Sequence, residues 1–212
     1  MKVAEAIEKA MEVAGYVRLR GFDYRFSSQG EVLHSVHHRF WGHNRFLSTS
    51  FAFSVEGADL YVVSATRDLL PQDVVLRLEF PLVRFSLGRW LNWGTRGAID
   101  LQNMSGVLLT QTLVDACKDH LLPLREKTLT RQHLFLALSG DISPLGWREC
   151  NPQFRAAVLA FLAKDIGGVG CELRRVFTEH RDSMNIGWPS EIVSVDQYLQ
   201  RLLEYVDTDN RG

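Results

Sequence analysis

From about residue 22 to about residue 90 apolar and polar residues alternate with a period of two, and after residue 105 the period becomes helical. A strand turns successive side chains to opposite faces, whereas a helix gathers positions three and four apart on one side. A chain with both patterns in separate stretches must build a sheet and then cover it, which points to the α+β class. Leu47, Phe51, Phe53 and Val55 share one strand face, with Ser48, Ser50 and Ser54 opposite. Val74, Leu76, Leu78 and Phe80 alternate in the same way with Val75, Arg77 and Glu79. Turn signals separate the runs at Ser27-Ser28-Gln29-Gly30, Gly42-His43-Asn44, Glu56-Gly57 and Leu70-Pro71-Gln72-Asp73. Short connections favour an antiparallel meander of four to five strands.

Helical stripes flank this region. Residues 2–15 place Val3, Ala6, Ile7, Ala10, Val13 and Ala14 on one face, and Gly15 or Gly21 can end that helix. Beyond residue 105, Leu109, Leu113, Ala116, Cys117, His120 and Leu121 form a second stripe, which Pro123 should end or kink. A helix is expected over about 128–138 with Gly140 at its end. Another should start at Asn151-Pro152 and close at Gly167-Gly168, followed by one over about 169–184. The last should begin at Ser194 in a capping box with Gln197. The expected architecture is an N-terminal helix, the meander, and about five C-terminal helices packed on the sheet. A single compact domain over 1–212 is expected, sheet-rich over 1–105 and helix-rich over 106–212. The loop at Ser139–Cys150 is the best candidate for an internal boundary.

The chain has 212 residues, of which 46% are hydrophobic, and 24 Lys and Arg face 25 Asp and Glu. That composition excludes a disordered, collagen-like or disulfide-scaffold chain. Near-neutral charge argues against general affinity for nucleic acid, which needs a basic surface. The three cysteines, Cys117, Cys150 and Cys171, are odd in number and form no C-x-x-C pair, which suits a reducing compartment. No stretch is apolar enough to serve as a signal peptide or membrane span, so a cytoplasmic location without a membrane partner is expected.

Two stretches carry the functional interest. His34, His37, His38 and His43 are interleaved with Arg39, Trp41 and Arg45. On a strand His34 and His38 share a face about 13 Å apart and His37 points the other way, so they cannot hold one metal ion without a bend. Arg84 to Arg96 mixes Phe85, Trp90 and Trp93 with Arg89. Tryptophan beside arginine is the usual chemistry of a protein interface. A partner-binding surface is therefore assigned to His34, His38, Trp41, Arg45, Arg89, Trp90 and Trp93. Gly167-Gly168-Val169-Gly170 follows a helix and lacks a Walker lysine, so it reads as a helix–helix turn and not a phosphate loop. There is no G-x-S-x-G or H-E-x-x-H. Cys117 and His120 lie on one apolar helical face and read as core. No catalytic residue, metal or cofactor is expected.

The order of a short helix leading to Gly15-Tyr16, then Arg20-Gly21-Phe22 and an aromatic strand, a Trp-containing loop and a helix ending Leu121-Leu122-Pro123-Leu124 resembles bacterial α+β domains of unknown function over residues 1–140. Some of these are encoded near polymorphic toxins as immunity proteins. The resemblance implies a toxin-neutralising partner-binding protein. Occlusion would be its mechanism, with acidic and aromatic side chains covering a basic toxin site. The alternative is an enzyme or ligand-binding protein for a small or nucleotide substrate, using the histidine-rich strand or Cys117 and His120 in a deep pocket.

Overall fold

The computed structural model describes residues 2–26, 30–69, 83–140, 152–185, 188 and 192–208. The fold is α+β, and its contacts divide into two compact units that interleave along the chain. The first takes Met1–Phe53 with Arg84–Leu129, and the second Ser54–Val83 with Thr130–Gly212. The contacts thus divide at residues 53, 83 and 129, not at residue 105 where the hydrophobic period changes.

The first unit opens with helix α1 (Val3–Val13) and runs into strands β1 (Tyr16–Arg20), β2 (Asp23–Phe26), β3 (Val32–Trp41) and β4 (Phe46–Val55). It resumes at β5 (Val83–Ser86), the short helix α2 (Leu87–Trp90) and β6 (Ala98–Asp100). Helix α3 (Gly106–Ala116) follows, then a π-helical turn (Cys117–Leu121) and α4 (Leu122–Glu126). The sheet order is β1-β2-β3-β4-β5, and β6 also pairs with β4. One edge of β4 belongs to β3, so β5 and β6 share the other edge, β6 opposite Phe46–Ser48.

Alternation on β3 and β4 gives the sheet two chemically different faces. Tyr24, Val32, His34, Val36, His38, Leu47, Thr49, Phe51 and Phe53 are buried on the covered face. Helix α1 packs on α3 and completes this core with Ala6, Ile7, Ala10 and Met11. Met11 takes the buried place expected for Val13, which is 53% exposed because it sits at the margin of the stripe centred on Ala6, Ile7, Ala10 and Ala14. From α3 and the π turn come Leu109, Leu113, Ala116, Cys117 and Leu121. Of the two effects expected of Pro123, the helix does not end there, but it is distorted beside the proline. The wider π turn comes just before it, where the Leu122 N–H reaches the Cys117 carbonyl five residues back, and α4 continues through the proline.

The second unit holds α5 (Ala58–Thr66), α6 (Arg131–Ser139), α7 (Pro152–Ile166), α8 (Gly170–Asn185) and α9 (Val195–Asp207). Its centre is α7, which packs on all four others and is buried on nearly every side. Arg155 of α7 is 1% exposed and donates from Nε to the Leu138 carbonyl at 2.8 Å and from Nη2 to the Gly140 carbonyl at 2.6 Å. These are carbonyls at the C-terminal end of α6, where helices leave acceptors unmatched. The Tyr198 hydroxyl of α9 donates to the buried Gln153 carbonyl at 2.7 Å. Gly167 and Gly168 both have φ of +71° and turn the chain from α7 into α8, as the sequence suggests. The Ser194–Gln197 capping box is present.

Helix α5 is not anticipated by the sequence reading, which continues the meander past Gly57. The expected strand at Val74–Phe80, the turns at 27–29 and 70–73, the loop from 141 to Cys150 and the Asn151 cap lie outside the described residues. Among the described residues no helix is long and apolar enough to cross a membrane.

Candidate functional site

The second face of the sheet in the first unit carries most of its polar chemistry. Odd-numbered residues of β3 point there: Ser35, His37, Arg39 and Trp41. They are continued by Val17, Asp23 and Arg25 on β1 and β2, by Phe46, Ser48 and Ser50 on β4, and by Arg84 on β5. Antiparallel register sets Asp23 opposite His37 and Arg25 opposite Ser35. Val17, Arg25, Arg39, Trp41 and Arg84 are exposed, while Ser35 and His37 are half-buried between them.

A hydrogen-bonded chain crosses this face. The Asp23 carboxylate accepts from His37 Nδ1 at 3.0 Å and from both Arg39 terminal nitrogens at 2.6 and 3.3 Å. With Nδ1 donating, the neutral imidazole keeps its lone pair on Nε2, which accepts from the Ser35 hydroxyl at 2.9 Å. On the other side, Arg84 Nε donates to Ser50 Oγ at 2.8 Å, and Ser50 donates to the His37 carbonyl at 3.5 Å. Burial pushes the Asp23 carboxyl upward, but the bonds and charges of Arg39 and His37 outweigh it and hold it below the usual carboxylate range. For His37 burial dominates and pulls the imidazole below its ordinary value, with Arg84 and Arg39 adding to it against Asp23. Serine, imidazole and carboxylate are thus joined in the sequence of a nucleophile, its base and the group that orients the base.

The face ends at the β3–β4 hairpin. Gly42, His43 and Asn44 all adopt left-handed backbone conformations, with φ of 60°, 55° and 65°. This tight turn sets Trp41 against Phe46, their rings stacked at 4.3 Å. The Arg45 guanidinium lies 4.9 Å from the centre of the Phe46 ring and bonds the Asp100 carboxylate, with Nη2 at 2.7 Å. Trp41 is 37% exposed and Arg45 is exposed. An aromatic pair and two oriented guanidiniums, Arg39 and Arg45, therefore stand together at the surface.

Of the seven residues assigned from sequence, the structure brings Trp41 and Arg45 together at this tip. Arg89, Trp90 and Trp93 form a separate group on and just after α2. Arg89 is exposed, and Trp90 and Trp93 are half-buried, with Trp90 edge-on to Phe85 at 5.8 Å and to His120 at 5.2 Å. His34 and His38 do not face outward at all. Each is 1% exposed on the covered face, His34 bonded to Thr128 and His38 to Thr49, both at 2.9 Å. The shared parity of the two histidines is as expected, but the phenylalanines of β4 sit on the same side. His34 lies between Phe51 and Phe53, so the histidines belong to the apolar layer.

Asp23, Ser35, Arg39, Ser50 and Arg84 were not assigned from sequence. The signal was the Ser-x-His-x-Arg alternation on β3, because placing His37 opposite His34 also places Ser35 and Arg39 beside it. Cys117 is buried, and loss of solvation pushes its thiol up to about 12, so it is a neutral core side chain. Among the described residues no three His, Cys, Asp or Glu are grouped to hold a metal ion. No family model matches this sequence, and no curated protein or solved structure matches it.

Proposed function

We propose that the chain is a protein-binding module that blocks its partner through the arginine-rich sheet face ending in Trp41 and Phe46. The observation that carries this reading is the exposed, preorganised tip. The stacked aromatics and the carboxylate-held guanidiniums of Arg39 and Arg45 lose little freedom on binding. Arg25, Arg39, Arg45 and Arg84 outnumber Asp23 and Asp100 on this surface. The complementary partner surface is therefore acidic, the reverse of the charge pattern that an acidic inhibitor of a basic site would have. A bacterial cytoplasmic immunity protein fits this reading. The unpaired thiols Cys117 and Cys171 and the resemblance over residues 1–140 support it.

The test is affinity capture from the source cell with the tagged chain, run beside Trp41→Ala and Arg39→Glu variants of verified fold. A partner that is toxic alone, is retained by the wild type and is released as salt rises supports the reading. Equal retention by all three chains overturns this placement of the interface.

The Ser35–His37–Asp23 chain favours a second reading, an esterase-like activity. Ser35 would attack an ester carbonyl, and its proton would pass to His37 Nε2 and on to the leaving alcohol. Water giving its proton to the same Nε2 would then displace the acid and return the proton to Ser35. Arg25, the exposed cross-strand partner of Ser35, would supply a cation for the developing oxyanion. Covalent labelling by a fluorophosphonate that disappears in Ser35→Ala would establish this reading. Absence of labelling in the wild type removes it.

A further inference from the structure

The covered side of the sheet in the first unit contains an unexplained polar cluster, distinct from the exposed face just discussed. Among the described residues, the buried side-chain polar atoms without a hydrogen-bond partner are Tyr16 Oη, His34 Nδ1, His38 Nε2, and Nε and Nη1 of Arg125. All belong to this one unit. Native interiors leave few such groups, so their concentration in one layer calls for something that binds them.

Tyr16, Arg125 and His34 converge through shared neighbours. The Tyr16 ring lies edge-on to Phe26 at 5.5 Å, and the Arg125 guanidinium sits 3.6 Å from the same ring. One turn after Arg125, Thr128 holds His34 Nε2 at 2.9 Å. The Thr128 hydroxyl donates back to the Leu124 carbonyl at 2.9 Å and lies 3.2 Å from the Arg125 carbonyl. Its proton is therefore committed, it must accept from His34 Nε2–H, and the lone pair of neutral His34 rests on the unpartnered Nδ1. Arg125 is one of the charges felt by both Tyr16 and His34. No carboxylate among the described residues pairs with it. The cluster thus offers a cation, a hydroxyl donor and one acceptor, with Phe26, Phe51 and Phe53 beside them.

We propose that this layer binds a small oxyanion carrying one hydroxyl, either hydrogen phosphate or a 2-hydroxycarboxylate. The anionic oxygens would accept from Arg125 and Tyr16, and the ligand hydroxyl would donate to His34 Nδ1. Arg125 is half-buried, with Nε and Nη1 covered. Water can fill those hydrogen bonds, but an oxyanion also brings negative charge to the guanidinium. This site is independent of the exposed face, so its fate leaves the partner-binding reading untouched.

The experiment is isothermal titration of the full chain with sodium phosphate and, separately, with sodium lactate, each against sodium chloride of equal ionic strength. Saturable binding of one oxyanion, weakened about tenfold in Tyr16→Phe and lost in Arg125→Met, is the expected result. The oxyanion that binds identifies the ligand class. Tyr16→Phe removes one oxygen atom, so it carries the test if Arg125→Met fails to fold. Binding should also shift the His34 Nδ1 nitrogen resonance away from its free lone-pair position. No saturable binding to the wild type, or binding unchanged in Tyr16→Phe, overturns the proposal and leaves the layer to water.

Discussion

Two histidines on the covered face tie stability to pH. Burial draws His34 down to about 4, helped by Arg125, and His38 down to about 3, helped by His37 and Arg39. In the unfolded chain both titrate near about 6.5. As pH falls below that value the unfolded chain takes up protons that the folded chain refuses, so stability is lost until the folded values are reached. Each histidine contributes a slope of about 1.4 kcal/mol per pH unit where only the unfolded form is protonated. The urea midpoint is expected to drop between pH 7 and pH 5, and to drop less in His38→Gln; equal drops would contradict the assignment. In the second unit, Arg155→Leu leaves the α6 carbonyls unmatched and should cost about 2–4 kcal/mol in urea unfolding. Tyr198→Phe, which leaves one carbonyl bare, should cost about 1–2 kcal/mol by the same measurement. At this scale the sequence is readable for parity but not for depth. Alternation correctly separates His37 from His34 and His38, yet only the strand pairing reveals which side the helices cover.

The elements differ in how plainly they are written. Helix α9 is announced by its capping box and by a stripe of Tyr198, Leu199, Leu202, Tyr205 and Val206, all of them buried except the half-buried Tyr205. Helix α5 reads Ala-Asp-Leu-Tyr-Val-Val-Ser-Ala-Thr, rich in aromatic and β-branched residues that favour strands. Packing against α7 overrides that local preference, and no window of the sequence contains the packing. The polar chain on the exposed face was equally hard to see, because Asp23 and His37 meet only through the register of β2 with β3. The α2 segment makes a sharper prediction. A Cβ on Gly88 would stand 2.0 Å from the Gly97 carbonyl oxygen, a rigid backbone atom. Gly88→Ala should therefore cost about 3 kcal/mol or more and disturb Trp90 and Trp93, which tryptophan fluorescence would report. A native-like melt with unchanged fluorescence would show that the two backbone segments are not in close approach.

For the molecule as a whole, the α+β class and the antiparallel sheet were legible in the change of period, but the partition into units was not. A split chosen where the hydrophobic period changes, at residue 105, separates β6 from α3 and takes from the first unit the buried residues of α3 and the π turn, leaving α1 without the helix it packs on. The separate pieces 1–105 and 106–212 are expected to show no cooperative unfolding. A chain joining 1–53 directly to 84–129 through a short glycine-serine linker keeps every strand of the first unit beside its neighbour, with β4 shortened by Ser54 and Val55 and β5 by Val83. It should unfold cooperatively and keep near-ultraviolet dichroism. If that chain is disordered while the piece 1–105 folds, the partition is misplaced.

The interleaving has a temporal consequence. As the chain leaves the ribosome, α1 and β1 to β4 emerge before residues 54–83, and the segments that complete their sheet and its helical cover follow only after those residues have been synthesised. The first unit cannot close until residue 129 is free of the exit tunnel. Until then the phenylalanines of β4 have no final cover, and a nascent-chain chaperone that binds apolar strands has its longest opportunity there.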